Sequence, residues 1–373
     1  MSARPYDAIV IGGGPAGASA AATMARSGLK VLLLEKKIMP RMKACAGGVP
    51  RKAAEFLGLD LSPLAGPPIR GLTLSWRGED ARTVRGEEIQ GWVVKREEFD
   101  RLLLDRARES GAEVLEGCGL LDLEDRGGRV RASTARGVFT APALVGADGG
   151  GSLVARRLGF SRRRGDGFAI ETRVKVSSRV LEERNGLLSF DLGAAPGGYG
   201  WIFPLADSLN VGVGTRRPPF KKLLGCLQAY LAREGFPRAA GKEIRGSTLA
   251  CGIPPFGLQR GRCCLAGDAA GLVDSLTGEG IYSALLSGRL AGEAVADFLA
   301  GTAPLSAYRG RVRRKLGGNL LAARIIARLT DLSPRRAYDL SSKSDRRIRG
   351  AMAVVQGEIS YFELLRKKIR PRR

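Results

Sequence analysis

The chain has 373 residues, 61 Lys and Arg against 37 Asp and Glu, a formal net charge of +24, six cysteines and no histidine. A hydrophobic share of 44% with 26% charged residues excludes a disordered chain, and this length carries two domains or one large one. The missing histidine excludes Ser-His-Asp and Cys-His nucleophile systems and imidazole-bound zinc; the scattered thiols contain no C-x-x-C pair, so no metal site is expected and a reduced, cytoplasmic protein is.

Residues 6–11, YDAIVI, form a short apolar strand that ends in GGGPAG at 12–17. Helix formers continue to Ser27 and Gly28 closes the helix. A second apolar strand at 30–34 then ends in Glu35 and Lys36. This is the strand, G-x-G-x-x-G, helix, strand, acid pattern of a dinucleotide-binding βαβ unit. Gly12 serves the tight turn and Gly14 lets the backbone approach a pyrophosphate. Pro15 and Ala16 open the helix, and Gly17 permits close helix–strand packing. Glu35 is placed to bind ribose hydroxyls. The uncharged run 8–25 is interrupted by this glycine turn and does not read as a membrane span. The motif alone leaves NAD and FAD open.

Two distant segments favour FAD. An apolar strand at 141–147 ends in Asp148, and another at 262–266 ends in Gly267-Asp268. LTGEGI at 276–281 follows, with a long Ala- and Leu-rich helix behind it. A nicotinamide dehydrogenase does not return to its cofactor domain so late in the chain, whereas an extended FAD needs such contacts. Asp268 is placed to accept hydrogen bonds from a ribityl chain. The amides of Gly278, Glu279 and Gly280, leading into Ile281, are expected to face a flavin ring at a helix start, where the dipole favours negative charge.

Between these segments, GYGWIFP at 198–204 reads as an alternating strand with Tyr199, Trp201 and Phe203 on one face. That face suits a flat apolar wall beside an aliphatic substrate, with a plain sheet core as the alternative. Gly212 and Gly214 are expected to leave room for the substrate chain. Cys45-Ala46-Gly47-Gly48 is a small loop whose thiol reads equally as inert or functional.

Together these features resemble the flavoprotein superfamily with the p-hydroxybenzoate hydroxylase fold. Y-x-W-x-F-P-x7-G-x-G at 199–214, the Cys45–Gly48 loop and the 276–281 loop are similar to motifs of its geranylgeranyl reductase family. The resemblance covers residues 6 to about 299. It implies an α/β fold: a Rossmann-type FAD-binding domain, an interleaved antiparallel β-sheet substrate domain and a helical C-terminal region. The expected boundaries are 1–70, 96–160 and 256–300 for the FAD domain, 71–95 and 161–255 for the substrate domain, and 301–373 for the basic helical part. It implies FAD contacts from Gly12, Gly14, Pro15, Ala16, Gly17, Glu35, Lys36, Cys45, Ala46, Gly47, Arg96, Asp148, Gly267, Asp268 and 278–281. It also places Cys45 with Tyr199, Trp201 and Phe203 in the pocket beside the flavin.

The implied activity is saturation of C=C bonds in geranylgeranyl or polyprenyl chains on a lipid, quinone or pigment precursor, by hydride transfer from reduced flavin N5. The electron donor is NAD(P)H or an electron-donor protein such as ferredoxin. Two alternatives are an aromatic monooxygenase using NAD(P)H and O2, and a basic surface-binding protein with a vestigial cofactor fold.

The charge surplus lies mostly in 309–373, where 19 Lys and Arg face five acids. Leu321, Ile325, Leu329 and Leu332 recur there at helical spacing, so the segment either lies on anionic lipid or packs on its own core. Aromatics are sparse there, only Tyr338, Tyr361 and Phe362, and no nucleic-acid partner is expected. The expected location is the cytoplasm, peripheral on the inner face of the cell membrane.

Overall fold

In the computed structural model, the described residues are 6–160, 167–216, 220–239, 243–251 and 257–366. Lys367, Lys368, Arg370, Arg372 and Arg373 of the basic tail lie outside them. The chain divides into two compact units and passes through each three times. One comprises Met1–Met42, Glu97–Gly165 and Leu249–Leu321; the other comprises Lys43–Arg96, Asp166–Thr248 and Ala322–Arg373. The C-terminal helical part is thus shared between them.

The first unit is built on a six-stranded sheet. Its order is Gln259–Arg260, Cys263–Leu265, Ala143–Gly146, Ala8–Ile11, Val31–Leu34, Glu113–Leu115. All pairings are parallel except the one between Gln259–Arg260 and Cys263–Leu265. Parallel strands covered on both faces must be apolar throughout, and the four residues of Ala8–Ile11, Val31–Leu34 and Ala143–Gly146 are all buried. A three-stranded antiparallel sheet of Leu120–Arg126, Arg129–Thr134 and Gly137–Ala141 belongs to the same unit.

Helix Pro15–Arg26 packs along helix Ile281–Leu299 through small residues. A Cβ on Gly288 would stand 2.1 Å from the Ala16 carbonyl oxygen, and one on Gly292 would stand 2.8 Å from that of Ala20. The contact is backbone against backbone, and Ser19 Oγ donates across it to the Leu285 carbonyl at 2.8 Å. This crossing brings a segment some 270 residues distant onto the first glycine motif.

The second unit holds a seven-stranded sheet. Its order is Arg245–Leu249, Gly167–Val174, Leu209–Thr215, Gly198–Pro204, Leu187–Leu192, Gly71–Trp76, Glu79–Arg85. The expected antiparallel sheet is corrected at one place: Gly71–Trp76 and Leu187–Leu192 run parallel, in register from Gly71↔Leu187 to Trp76↔Leu192. More than a hundred residues separate these strands, so a long crossover replaces the tight hairpin an antiparallel pair uses. Helix Leu223–Arg233 covers one face, burying Leu223, Leu227, Tyr230 and Leu231 with Ile202, Val211 and Val213. The opposite face carries Trp201 and Phe203.

C-terminal helices Pro334–Ser342 and Asp345–Gln356 attach to the sheet edge by ion pairs. Arg335 meets Asp80 at 2.7 Å and Arg82 meets Asp345 at 3.0 Å. Arg216 pairs with Asp331 at 2.7 Å and Arg51 with Glu358 at 2.5 Å. The few acids of this region are therefore engaged internally.

Candidate active site

In the first unit, strand Ala8–Ile11 delivers the chain to Gly12, whose φ of +105° is left-handed territory that favours glycine. A Cβ there would also meet the Ala147 oxygen at 2.4 Å. One on Gly17 would stand 1.8 Å from the Gly12 oxygen, so the helix start rests directly on the turn. Above Gly14, by contrast, the nearest atom to a Cβ is Arg41 Nη2 at 3.7 Å. Helix Pro15–Arg26 has no side-chain cap, which leaves its start to an external anion.

Glu35, 3% exposed, accepts from the Gly13 amide at 2.7 Å and the Lys37 amide at 2.9 Å. Lys36, grouped with the cofactor residues, is exposed. The cation beside the cradle is instead Arg41, which pairs with Asp100 at 3.1 Å and lies 3.5 Å from Glu35. Two buried carboxylates thus aim one guanidinium beside Gly14, matching a diphosphate. Sequence reasoning missed Arg41 because a loop arginine after a strand has no spacing rule.

The late segments converge on the same motif. Gly267 packs against Ala16, where a Cβ on the glycine would stand 3.0 Å from the Ala16 Cβ, and its amide donates to Ser287 Oγ at 2.9 Å. Asp268 Oδ1 lies 3.5 Å from where a Cβ of Gly280 would stand, at the cap of helix Ile281–Leu299. Asp148 has two roles. Its Oδ2 accepts from the Leu153 and Val154 amides at 2.6 and 3.2 Å, capping a short helix, while its Oδ1 is buried without a protein partner.

The expectation for 278–280 is corrected. The Gly278 amide donates to the Asp274 carbonyl at 2.9 Å and the Glu279 amide to Thr277 Oγ1 at 3.2 Å. The loop closes on Asp274, whose carboxylate also takes the Leu276 and Thr277 amides; two of the three expected donors are therefore engaged inside the turn. The Glu279 carboxylate turns back to accept from the Tyr282 amide at 2.7 Å. Open backbone over Gly14, an orphaned buried Asp148 oxygen and a cationic Arg41 fit FAD in this unit.

In the second unit the Cys45–Gly48 loop is tied to the chain just before Arg96. Gly47, at φ +81°, would place a Cβ 2.2 Å from the Val94 oxygen, and its carbonyl accepts from the Val94 amide at 3.0 Å. Arg96 opens helix Arg96–Glu109 and is 4% exposed. Cys45 is half-buried, and its Sγ accepts from the Gly47 amide at 3.4 Å.

Tyr199, Trp201 and Phe203 do share a face. With Phe190 they form an edge-to-face cluster, with ring centroids 5.3 to 6.2 Å apart, a favoured aromatic arrangement. Ala46 packs on this cluster, and Phe203 approaches Gly48. The loop and the wall are therefore one assembly. The room at Gly212 and Gly214 is not left for a substrate chain. A Cβ on Gly212 would meet Trp201 Cζ2 at 2.1 Å, and one on Gly214 would meet Cζ3 at 3.7 Å. The register Trp201↔Gly212 lays the indole flat across the bare strand.

Beside the wall, on the same sheet face, lies a polar group that the sequence did not suggest. Glu171, 3% exposed, accepts from Asn210 Nδ2 and from the Cys45 amide. Burial raises its pKa above the usual carboxylate value, against the opposing pull of Asn210, the Cys45 amide, Arg173 and Arg245. Cys263 and Cys264, by comparison, are core thiols whose pKa values burial pushes far up, which leaves them inert.

A family model described as FAD binding domain matches residues 5–185. Geranylgeranyl diphosphate reductase, chloroplastic, of Arabidopsis thaliana is 33% identical over 327 residues, 80% of this chain and 67% of the relative. Digeranylgeranylglycerophospholipid reductase 2 of Methanothermobacter thermautotrophicus is 32% identical over 332 residues, 84% of this chain and 85% of the relative. A crystal structure of a geranylgeranyl bacteriochlorophyll reductase-like protein from Thermoplasma acidophilum matches with a TM-score of 0.81 at 22% identity. That match covers 99% of this chain and 97% of the other, and shows the shared fold. With its glycine cradle, its late Gly267-Asp268 return and two relatives above 30% identity, the chain belongs to the geranylgeranyl reductase family of FAD-dependent oxidoreductases.

Proposed function

We propose that this protein saturates C=C bonds of geranylgeranyl or longer polyprenyl chains carried on a lipid, quinone or pigment precursor. The observation that carries this reading is the wall of Tyr199, Trp201, Phe203 and Phe190 with the Cys45 loop packed on it. Bound FAD supplies the hydride, from N5 of its reduced ring. Gly12, Gly14, Pro15, Ala16 and Gly17 cradle its diphosphate with Arg41 as counter-charge, while Glu35, Asp148, Gly267, Asp268 and Gly280 hold the rest. An isolated alkene has no carbonyl to polarise, so the protein acts by holding an apolar chain still and excluding water. Aromatic rings do this without a charge or a histidine. Cys45, on the loop that packs against that wall, is the candidate proton donor to the second carbon. Electrons arrive from NAD(P)H or from a ferredoxin-type protein.

Dithionite-reduced, FAD-loaded protein incubated with geranylgeranyl lipids is expected to give products heavier by two hydrogens per bond, read by mass spectrometry. Unchanged lipid masses, with NADPH oxidised only in the presence of an aromatic substrate and O2, would establish a hydroxylase instead.

The substrate is reached from a bilayer. On helix Gly318–Leu332, Ala323 and Ala327 are buried, while Leu321, Ile325, Leu329 and Leu332 are exposed by 48 to 78%. Arg324 and Arg328 stand on the same helix, and no helix among the described residues is long and apolar enough to cross a membrane. An exposed apolar stripe flanked by arginines suits anionic lipid. The protein is expected to sediment with phosphatidylglycerol vesicles at low salt but not with phosphatidylcholine vesicles. The double variant Leu329→Glu/Leu332→Glu should stay in the supernatant, and equal sedimentation of both proteins would overturn the assignment.

A further inference from the structure

Glu171 lies on strand Gly167–Val174 opposite Gly212, and Gly212 lies opposite Trp201 on the next strand. A carboxylate at this depth must be satisfied or neutral. Its satisfaction runs through two amides. Asn210 Nδ2 donates to Glu171 and reaches the Cys45 carbonyl at 3.4 Å, while Asn210 Oδ1 accepts from Trp201 Nε1 at 2.7 Å. The Cys45 amide also donates to Glu171. Four groups from three strands and a loop thus share one hydrogen-bonded knot, in which Asn210 is 2% exposed.

We propose that Glu171 is a positioning residue of this enzyme: through Asn210 and the Cys45 peptide it holds the Cys45–Gly48 loop in register with the Trp201 indole. This deepens the reductase reading and rests on it for the loop's part in turnover.

The chemistry makes the tether sensitive to protonation. The groups that act on the carboxyl are donors or cations. These are the Asn210 amide, the Cys45 amide, Arg173 on the same strand, and Arg245 on the neighbouring strand, itself paired with Glu243; the Cys45 thiol lies on the loop. An ionised carboxylate serves all of them as acceptor. A protonated one places an O–H among donors and must give up a partner. Burial has already raised this group's pKa, so the tether is intact above that raised value and is lost as pH falls through it. Folding stability has the opposite sign. An acid whose pKa rises on folding contributes most below its unfolded value, and that contribution is lost as pH rises through the folded one.

The test uses FAD-loaded protein in which Trp76→Phe and Trp92→Phe leave Trp201 as the single tryptophan. Its emission is expected to show one inflection at a pH above the ordinary carboxylate range, and Glu171→Gln should remove it. In the native background, Glu171→Gln should lower kcat about tenfold with less than a twofold change in KM for the prenyl lipid, and should flatten the acid limb of the pH profile. Asn210→Ala should cost the same, and the double variant no more than either. A flat Trp201 emission in the Glu171 protein, or an inflection that survives Glu171→Gln, overturns the proposal whatever the activity. An inflection that behaves as expected in a protein that reduces no prenyl lipid upholds the tether and overturns the reductase reading.

Discussion

Gly17→Ala is expected to yield a protein that is purified nearly free of flavin, with an FAD dissociation constant raised roughly ten- to a hundredfold. The added methyl would stand 1.8 Å from the Gly12 carbonyl oxygen, and neither partner can yield. Gly12 is pinned by its left-handed φ and by Ala147, whose oxygen stands 2.4 Å from a Cβ built there. The helix cannot retreat either, because the Ala16 oxygen already stands 2.1 Å from the Cβ position of Gly288 on helix Ile281–Leu299. Overpacking between rigid groups costs about 1–3 kcal/mol, and here the strain falls on the atoms of the proposed diphosphate cradle. Fluorescence titration of apoprotein with FAD measures the loss. Gly225→Ala is the control, because no atom lies near its Cβ position and helix interiors favour Ala over Gly by roughly 0.5–1 kcal/mol. Normal FAD retention in Gly17→Ala would show that the turn is not the cradle.

The second large effect belongs to the wall. Gly212→Ala is expected to keep FAD and lose roughly ten- to a hundredfold in kcat/KM for prenyl reduction, from an overpacking cost of about 1–3 kcal/mol. Its methyl would meet Trp201 Cζ2 at 2.1 Å and Cε2 at 2.6 Å. The ring cannot slide aside without breaking its 2.7 Å bond to Asn210 and disturbing Tyr199, its edge-to-face neighbour at 6.2 Å. Steady-state kinetics with a prenyl lipid reads the loss, and flavin absorbance confirms the loading. Adding Trp201→Phe, whose smaller ring vacates the slot, should recover part of the activity. A double variant worse than Gly212→Ala alone would mean that the indole matters for more than space.

Both experiments turn on glycines that the sequence displays, yet only one set was readable as to its purpose. Gly12, Gly14 and Gly17 carry their meaning in their spacing, because a strand that must turn into a helix over a diphosphate demands bare backbone at those positions and an acid after the next strand. Gly212 and Gly214 also stood out, but their purpose depended on which strand lay beside them. The space they open is filled by Trp201, which the register places across them. The amides of 278–280 were misread for a similar reason: Asp274 folds the loop on itself, a local choice among several that LTGEGI permits.

What the sequence determined by itself was the cofactor unit, the alternation of Tyr199, Trp201 and Phe203, and the amphipathic helix near the C-terminus. Each follows from a short-range rule of turn geometry, a two-residue pleat or a helical repeat. The tertiary structure alone decided the rest. It set the Arg41 guanidinium between Asp100 and Glu35 beside Gly14. It brought Glu171, Asn210 and the Cys45 loop into one buried knot. It buried Ala323 and Ala327, not the leucine stripe of the same helix. These outcomes depend on strand register and on which helix face meets a neighbour, and contacts between residues far apart in the chain leave no period for a sequence to display.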